Sequence, residues 1–288
     1  MKALALALAV LILSPSFSSA ASPTIKVVSF NIRVGSARDG DNSWQFRKEN
    51  LVETVKSLAP DLLGTQETLL FQKDFIAKNL PEYTVFGVGR EDGGEKGEMM
   101  ALFWRTERFQ KVDGGHFWLS ETPETVGSKS WDSSLPRMAT WVRLRDRLDE
   151  DAQPVFFINT HFDHRGQEAR SQSAKLIRER IANLAEGCSV ILTGDFNATE
   201  GSAPYRALFA DSREMKSPLV DTYRTIHKKP GENEGTPSAF RTDMKSPKRI
   251  DWIGCSRDWA VEKAGIDREG YQGRYPSDHY AVFASLTR

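Results

Sequence analysis

From residue 25 onward the chain is a succession of short apolar runs, each closed by a polar residue or a glycine. Residues 25–32 read as a strand, and 47–58 as a helix with Leu51, Val52, Val55 and Leu58 at helical spacing. A short strand at 62–64 then leads into Gln66 and Glu67. Further strands are predicted at 83–88, 99–104, 140–144, 155–160, 190–193, 250–255 and 280–286, and helices at 71–79, 167–185 and 203–209. Strands outnumber helices, and several are neighbouring hairpin-like runs. That mixture predicts an α/β sandwich with antiparallel pairing rather than a doubly wound parallel sheet. The glycine-rich segment 89–97 and the polar segment 228–246 read as loops placed to contact a substrate.

The first residues follow a different pattern. Lys2 precedes an apolar run over 3–13, and the small residues Ser18-Ser19-Ala20 follow it. This is the layout of a cleaved export signal over 1–20, too short to cross a hydrocarbon core, which takes about 20 residues. The expectation is one domain over 21–288, secreted or periplasmic, with no stable membrane anchor. In that compartment a bridge between Cys188 and Cys255 is chemically allowed, although two cysteines cannot form a disulfide scaffold in a chain this long.

Composition narrows the class. The 288 residues are 39% hydrophobic and 27% charged, which excludes a disordered chain, a collagen and a multi-pass membrane protein. Lys plus Arg number 39, as do Asp plus Glu, and removal of Lys2 leaves one net negative charge. No global basic field draws this protein onto nucleic acid; only short basic clusters occur, at 227–229 and 245–249.

Chemistry is carried by the residues that close the strands. Asn31, Glu67, His161, Asp195 with Asn197, and Asp278-His279 each lie at a predicted strand end. Glu67, Asp195 and Asp278 offer the hard oxygen ligands that Mg²⁺ prefers, and the histidines add proton-transfer capacity near neutral pH. Asp251 is a charge inside an apolar strand and needs a partner, for which His279 is the natural choice and Arg249 or Lys248 the adjacent alternatives. Taken singly, each residue is equally readable as a turn former, a helix cap or a solvated group, and His164 reads mainly as solvated.

Together, Ser29-Phe30-Asn31, Gln66-Glu67, Asn159-Thr160-His161, Gly194-Asp195-Phe196-Asn197, Arg249-Ile250-Asp251 and Ser277-Asp278-His279 resemble the endonuclease/exonuclease/phosphatase superfamily. That superfamily includes deoxyribonuclease I, apurinic endonucleases, neutral sphingomyelinases, inositol polyphosphate 5-phosphatases and nocturnin-like deadenylases. The resemblance runs from about residue 25 to 286. It implies a four-layer α/β sandwich, two packed mixed sheets flanked by helices, with the site at one end. It also implies roles. Asn31, Glu67 and Asp278 would hold Mg²⁺, or Mn²⁺ in its place. Asp195 and Asn197 would position the attacking water and the phosphate, and His161 would donate to the non-bridging oxygens. His279, held by Asp251, would orient or deprotonate the water, with Asp195 the other candidate base.

A second tier follows from likeness to bacterial and nocturnin-like members. Glu98, Arg105 and Arg137 are substrate-binding candidates, Arg being suited to bidentate phosphate contact. Arg105 and Arg137 read equally well as strand-end pairing residues. Trp44 and Arg47 fit the same branch, with Trp44 also readable as a core residue, and 236–240 falls where relatives carry a substrate loop. The expected partner is a phosphoester substrate, and the expected state a monomer. The expected function is a metal-dependent phosphodiesterase or phosphomonoesterase, with an extracellular nuclease on DNA or RNA as one alternative, for which Phe71, Trp118 and Trp131 are candidate stacking residues. A non-catalytic binding protein that keeps the fold is the other.

Overall fold

The computed structural model describes residues 23–211, 216–241, 245–271 and 274–288. The expected export signal lies outside them. In chain order the elements are β1 (Ile25–Asn31), α1 (Trp44–Leu58), β2 (Leu62–Thr68), α2 (Leu70–Asn79), β3 (Tyr83–Phe86), β4 (Met99–Arg105), β5 (Phe109–Trp118) and β6 (Met138–Asp146). Then come β7 (Val155–His161), α3 (Gln167–Leu184), β8 (Ser189–Asp195), α4 (Ala203–Phe209), β9 (Leu219–Asp221), α5 (Thr222–Ile226), β10 (Asp251–Ser256), β11 (Ala260–Asp267) and β12 (Ala281–Thr287).

The strands form two six-stranded sheets, ordered β11-β12-β1-β2-β4-β3 and β5-β6-β7-β8-β10-β9. Only the β1–β2 and β7–β8 pairs are parallel. Central strands read as unbroken apolar runs because both of their faces are buried. Val27 of β1 and Phe157 of β7 point between the sheets, where they meet Leu62, Leu144, Ile191 and Ile253. Their neighbours point outward. Val28 and Phe30 pack under α1 through Leu51, Val52 and Val55, and Phe156 and Ile158 pack under α3 through Ala174, Ile177 and Ile181. Helix, sheet, sheet and helix are the four layers expected from the resemblance.

Near one end the inter-sheet layer turns polar. Gln66 donates through Nε2 to Asn159 Oδ1 at 2.6 Å, Asn159 donates through Nδ2 to the carbonyls of Thr65 and Ala101, and Thr193 Oγ1 donates to Asn159 Oδ1. Gly64 makes room for this seam, since a Cβ there would stand 2.3 Å from Thr193 Oγ1. The seam lies beneath the strand ends that carry Asn31, Glu67 and Asp195.

Several elements depart from the sequence reading, the short helix α5 among them. β5, β9 and β11 are not evident in the apolar pattern, and all three are edge strands. An edge strand needs no continuous apolar face, and β5 and β11 are largely solvent-facing. Helix α1 begins at Trp44 rather than 47, and it stops where Ala59 takes a left-handed conformation (φ 44°) before Pro60. Cys255 is buried between the sheets, and both cysteines are free, so the allowed bridge is not formed.

Candidate active site

Backbone register sets the first part of the site. Asp195, the last residue of β8, pairs with His161 of parallel β7 on one side and with Asp251 of antiparallel β10 on the other. Three polar side chains thus stand in a row at the end of one sheet, separated by the spacing between strands. The other sheet brings Asn31 from β1 and Glu67 from β2. The β2–β4 register shifts between Thr65 and Thr68, and Glu67 within that bulge has φ 58°, a left-handed conformation unusual for a side chain of its size. The bulge aims the Glu67 carboxylate at the β8 end, where atoms of Glu67, His161 and Asp195 lie within 4.8 Å of one another.

Asn31 joins the two sheets. Its Nδ2 donates to Glu67 Oε1 at 3.0 Å and to Asp195 Oδ2 at 2.9 Å, while its Oδ1 accepts the Arg33 N–H at 3.0 Å. The Arg33 backbone N–H can only donate, so Oδ1 faces it and the orientation of the amide is fixed. The resemblance gives Asn31 to the metal, and here its amide braces the acidic pair beside that position. Glu67 Oε2 also accepts the Val34 N–H at 2.8 Å.

The Asp251–His279 pair expected from sequence is present, with Nδ1 to Oδ2 at 2.9 Å, while Arg249 goes instead to Asp221 at 2.5 Å. Burial alone would lower the His279 pKa, but Asp251, then Asp195 and Asp278, raise it well above the ordinary value. The Asp195 carboxyl is pushed up, first by burial and next by the charge of Asp251. Asp278 and Glu98 are raised as well, by burial foremost and with Glu67 adding to both. His161 is held neutral by burial, Arg137 and Arg90. Asn197, in a left-handed conformation (φ 46°), donates through Nδ2 to His161 Nε2 at 3.0 Å and through its backbone to Asp195 Oδ1 at 2.9 Å. The His161 proton therefore sits on Nδ1, a buried atom with no hydrogen-bond partner.

Glu67, His161, Asp195, Asn197 and His279 line one cleft of about 320 Å³ with Arg33, Val34, Glu98, Leu135, Arg137, His164 and Asp278. Asp278 is 3.6 Å from the Arg33 guanidinium. Glu98 is clamped by both amino groups of Arg90, each at 2.8 Å. Arg137 reaches the cleft, but Arg105 does not. The β2–β4 register puts Arg105 beyond Trp104, at the opposite end of β2 from Glu67, where it covers the Tyr83 ring at 4.9 Å. His164 is exposed, in line with the solvated reading, and its ring also lines the cleft and meets Arg137. Trp118 is buried and not available for stacking, and Trp44 is a core residue.

Arg47 and the 236–240 segment support the site in ways the resemblance does not imply. Arg47, 1% exposed, donates to the carbonyls of Ile32, Arg33, Asn42 and Pro276, tying the loop after β1 to the loop that carries Asp278. The 236–240 segment is scaffold rather than a free substrate loop. Thr236 Oγ1 accepts the Ile250 and Asp251 N–H groups, and Ser238 and Ala239 donate to the Asp278 carbonyl.

The donor set fits a hard divalent cation. Carboxylate oxygens converge, and burial together with mutual repulsion raises the proton affinity of Asp195, Asp278 and Glu98, a strain that a cation relieves. A convergent acidic site with an Asp-oriented histidine, at one end of two packed mixed sheets, defines a metal-dependent phosphoric ester hydrolase. The chain belongs to the Endonuclease/Exonuclease/phosphatase family, whose profile matches residues 28–279. It is similar to a mannosyl-6-phosphatase from Bacteroides thetaiotaomicron, with 34% identity and a TM-score of 0.82 over 91% of this chain and 99% of that one. The catalytic domain of human Nocturnin, solved with a sulfate anion, shares the fold at 20% identity, with a TM-score of 0.72 over 93% and 96% of the two chains. The Drosophila melanogaster Protein angel is 23% identical over 269 residues, 85% of this chain and 72% of that protein.

Proposed function

We propose that the protein is a secreted or periplasmic, monomeric, Mg²⁺-dependent phosphoesterase, with Mn²⁺ able to replace Mg²⁺, that cleaves a small soluble phosphoester by in-line attack of water. The observation that carries this reading is the Asn31 brace, which holds Glu67 and Asp195 together across the two sheets beside the Asp251–His279 pair. Glu67 and Asp278 would hold the cation, which when bound supplies Lewis-acid polarisation of the phosphate. Asp251 fixes His279 through Nδ1 and leaves its Nε2 for the substrate or water. With its imidazole favouring the charged form, His279 serves as a donor to developing negative charge. Asp195, a carboxyl of raised proton affinity, is the better base for the attacking water. His161 lines the same cleft and is the candidate donor to a non-bridging oxygen.

The export pattern at 1–20 supports the compartment, and among the described residues no helix is long and apolar enough to cross a membrane. The likeness to a mannosyl-6-phosphatase places sugar phosphates first among substrates to try. The test is hydrolysis with and without Mg²⁺ of mannose 6-phosphate and other sugar phosphates, inositol phosphates, para-nitrophenyl phosphate, bis-para-nitrophenyl phosphate, plasmid DNA and RNA. Turnover of a small ester that Asp195→Asn and His279→Ala each reduce at least 100-fold is the expected result. Turnover without Mg²⁺ or Mn²⁺, or intact activity in either variant, overturns it. A preference for polynucleotide would move the protein to the nuclease alternative.

A further inference from the structure

On the hydrolase reading, a cation at the acidic half of the cleft and His161 would each take one non-bridging oxygen of the phosphate. A second set of donors lies in the same cleft. Arg137 is 3% exposed and Asp163 1%. The guanidinium approaches Asp163 Oδ2 through Nε at 3.4 Å and donates through Nη2 to His164 Nδ1 at 3.0 Å. Its Nη1 is buried without a partner. Asp163 does not absorb the arginine's charge in a bidentate pair, because the Ser134 hydroxyl and the backbone N–H groups of Ser134, Arg165 and Gly166 already occupy its oxygens. An arginine can only donate, so His164 Nδ1 is the acceptor and the ring proton lies on Nε2. His164 is itself exposed and lines the cleft.

We propose that Arg137 and His164 form an anion seat for the third non-bridging oxygen of a phosphomonoester, and that this seat makes the enzyme prefer monoesters to diesters. The inference rests on the hydrolase reading above. A diester has two non-bridging oxygens and one negative charge, and leaves the seat empty. A monoester has three, with up to two charges near neutral pH, and fills it. Asp163 answers the Arg137 charge only through Nε at 3.4 Å, and an anion in the cleft that Arg137 lines would answer the rest of it. A purely structural Arg137, tying the 133–135 turn to Asp163, would give His164 no part in choosing a substrate.

The test compares kcat/KM on para-nitrophenyl phosphate and bis-para-nitrophenyl phosphate, which share a leaving group, for the wild type, His164→Ala, Arg137→Lys and Arg137→Gln. His164 is exposed, so His164→Ala should fold even where a buried Arg137 variant does not. The wild type should favour the monoester. The monoester-to-diester ratio should fall about 10- to 100-fold in His164→Ala and Arg137→Gln, as expected for one lost hydrogen bond to a charged group, and less in Arg137→Lys. Calorimetric titration with inorganic phosphate in EDTA reads the seat without turnover, and His164→Ala should bind about 10-fold more weakly. A ratio unchanged in a well-folded His164→Ala, or unchanged phosphate affinity, overturns the seat. A wild type that turns over neither ester but loses phosphate affinity in His164→Ala would overturn the hydrolase reading while supporting the seat.

Discussion

Asp251→Asn is isosteric and removes one charge from the centre of the site. Asp251 is 1% exposed, its Oδ2 holds His279 Nδ1 at 2.9 Å, and its Oδ1 has no partner. Atoms of Asp195, Asp251 and His279 lie within 4.8 Å of one another. At that distance and an effective dielectric constant of about 20, two unit charges interact by about 3.5 kcal/mol. A hydrogen bond to a charged group contributes about 1.5 to 3 kcal/mol. Taking the smaller figure, because the amide still hydrogen-bonds, the expected loss in kcat is about 10- to 150-fold. The pH profile carries the sharper signature. The Asp251 charge raises the proton affinity of both Asp195 and His279, so its removal lowers both. If Asp195 must be ionised and His279 protonated, the acid and alkaline limbs of kcat/KM both move to lower pH. The assay is para-nitrophenyl phosphate hydrolysis at saturating Mg²⁺ across pH, with thermal unfolding as the folding control. A loss below about threefold with both limbs unmoved would refute the role given to the pair.

Glu67→Gln should raise the Mg²⁺ concentration for half-maximal activity at least about tenfold, by analogy with the cost of disturbing metal ligation, and an unchanged titration would remove Glu67 from the cation site. Arg47→Met leaves the carbonyls of Ile32 and Pro276 without this donor, while that of Arg33 keeps Gln72 Nε2, and should cost about 2 to 6 kcal/mol in urea unfolding; a cost under about 1 kcal/mol would show the loops to be held otherwise. His116, whose pKa burial lowers to about 4, stays neutral in the fold and protonates more readily when unfolded. Its contribution is present above the unfolded value and lost as pH falls toward 4, up to about 3 kcal/mol, so His116→Phe should flatten stability between pH 4 and 6.5. Gly64→Ala forces a methyl onto Thr193 and Asn159 and should cost about 1 to 3 kcal/mol; wild-type stability would mean that the seam is loosely packed.

The parts of the fold legible in the sequence are those that burial dictates. Both faces of β1, β7 and β8 are covered, so their apolar runs are continuous and end where the site begins. Asp251 and His279 were legible as a pair because a charge inside the run Ile250 to Ile253 has to be answered. The edge strands β5 and β11 were not, since solvent covers one face and the pattern carries no constraint. Arg105 and Arg137 were indistinguishable in sequence, each a lone arginine beside a strand. Register alone separates them, and register depends on pairings between segments far apart in the chain. His164 escaped for a related reason. Its partner Arg137 comes from another strand, and nothing local to Asp163-His164-Arg165 announces the contact.

Register also explains why the acidic row can be so tightly coupled without collapsing. Asp195 and Asp251 are like charges held side by side by the β8–β10 ladder, not by any attraction of their own. Free side chains would turn apart or take up a proton. Here the Asn31 amide and the Asn197 backbone answer Asp195, and His279 answers Asp251, so the repulsion is expressed as raised proton affinity instead of movement. Thr236 completes the restraint by receiving the Ile250 and Asp251 N–H groups through its hydroxyl and the Tyr280 N–H through its carbonyl, which couples the strand bearing the aspartate to the one that follows the histidine. The chemistry of the cleft is in this sense stored in backbone pairing: positions that never touch a substrate fix how strongly Asp195 holds a proton.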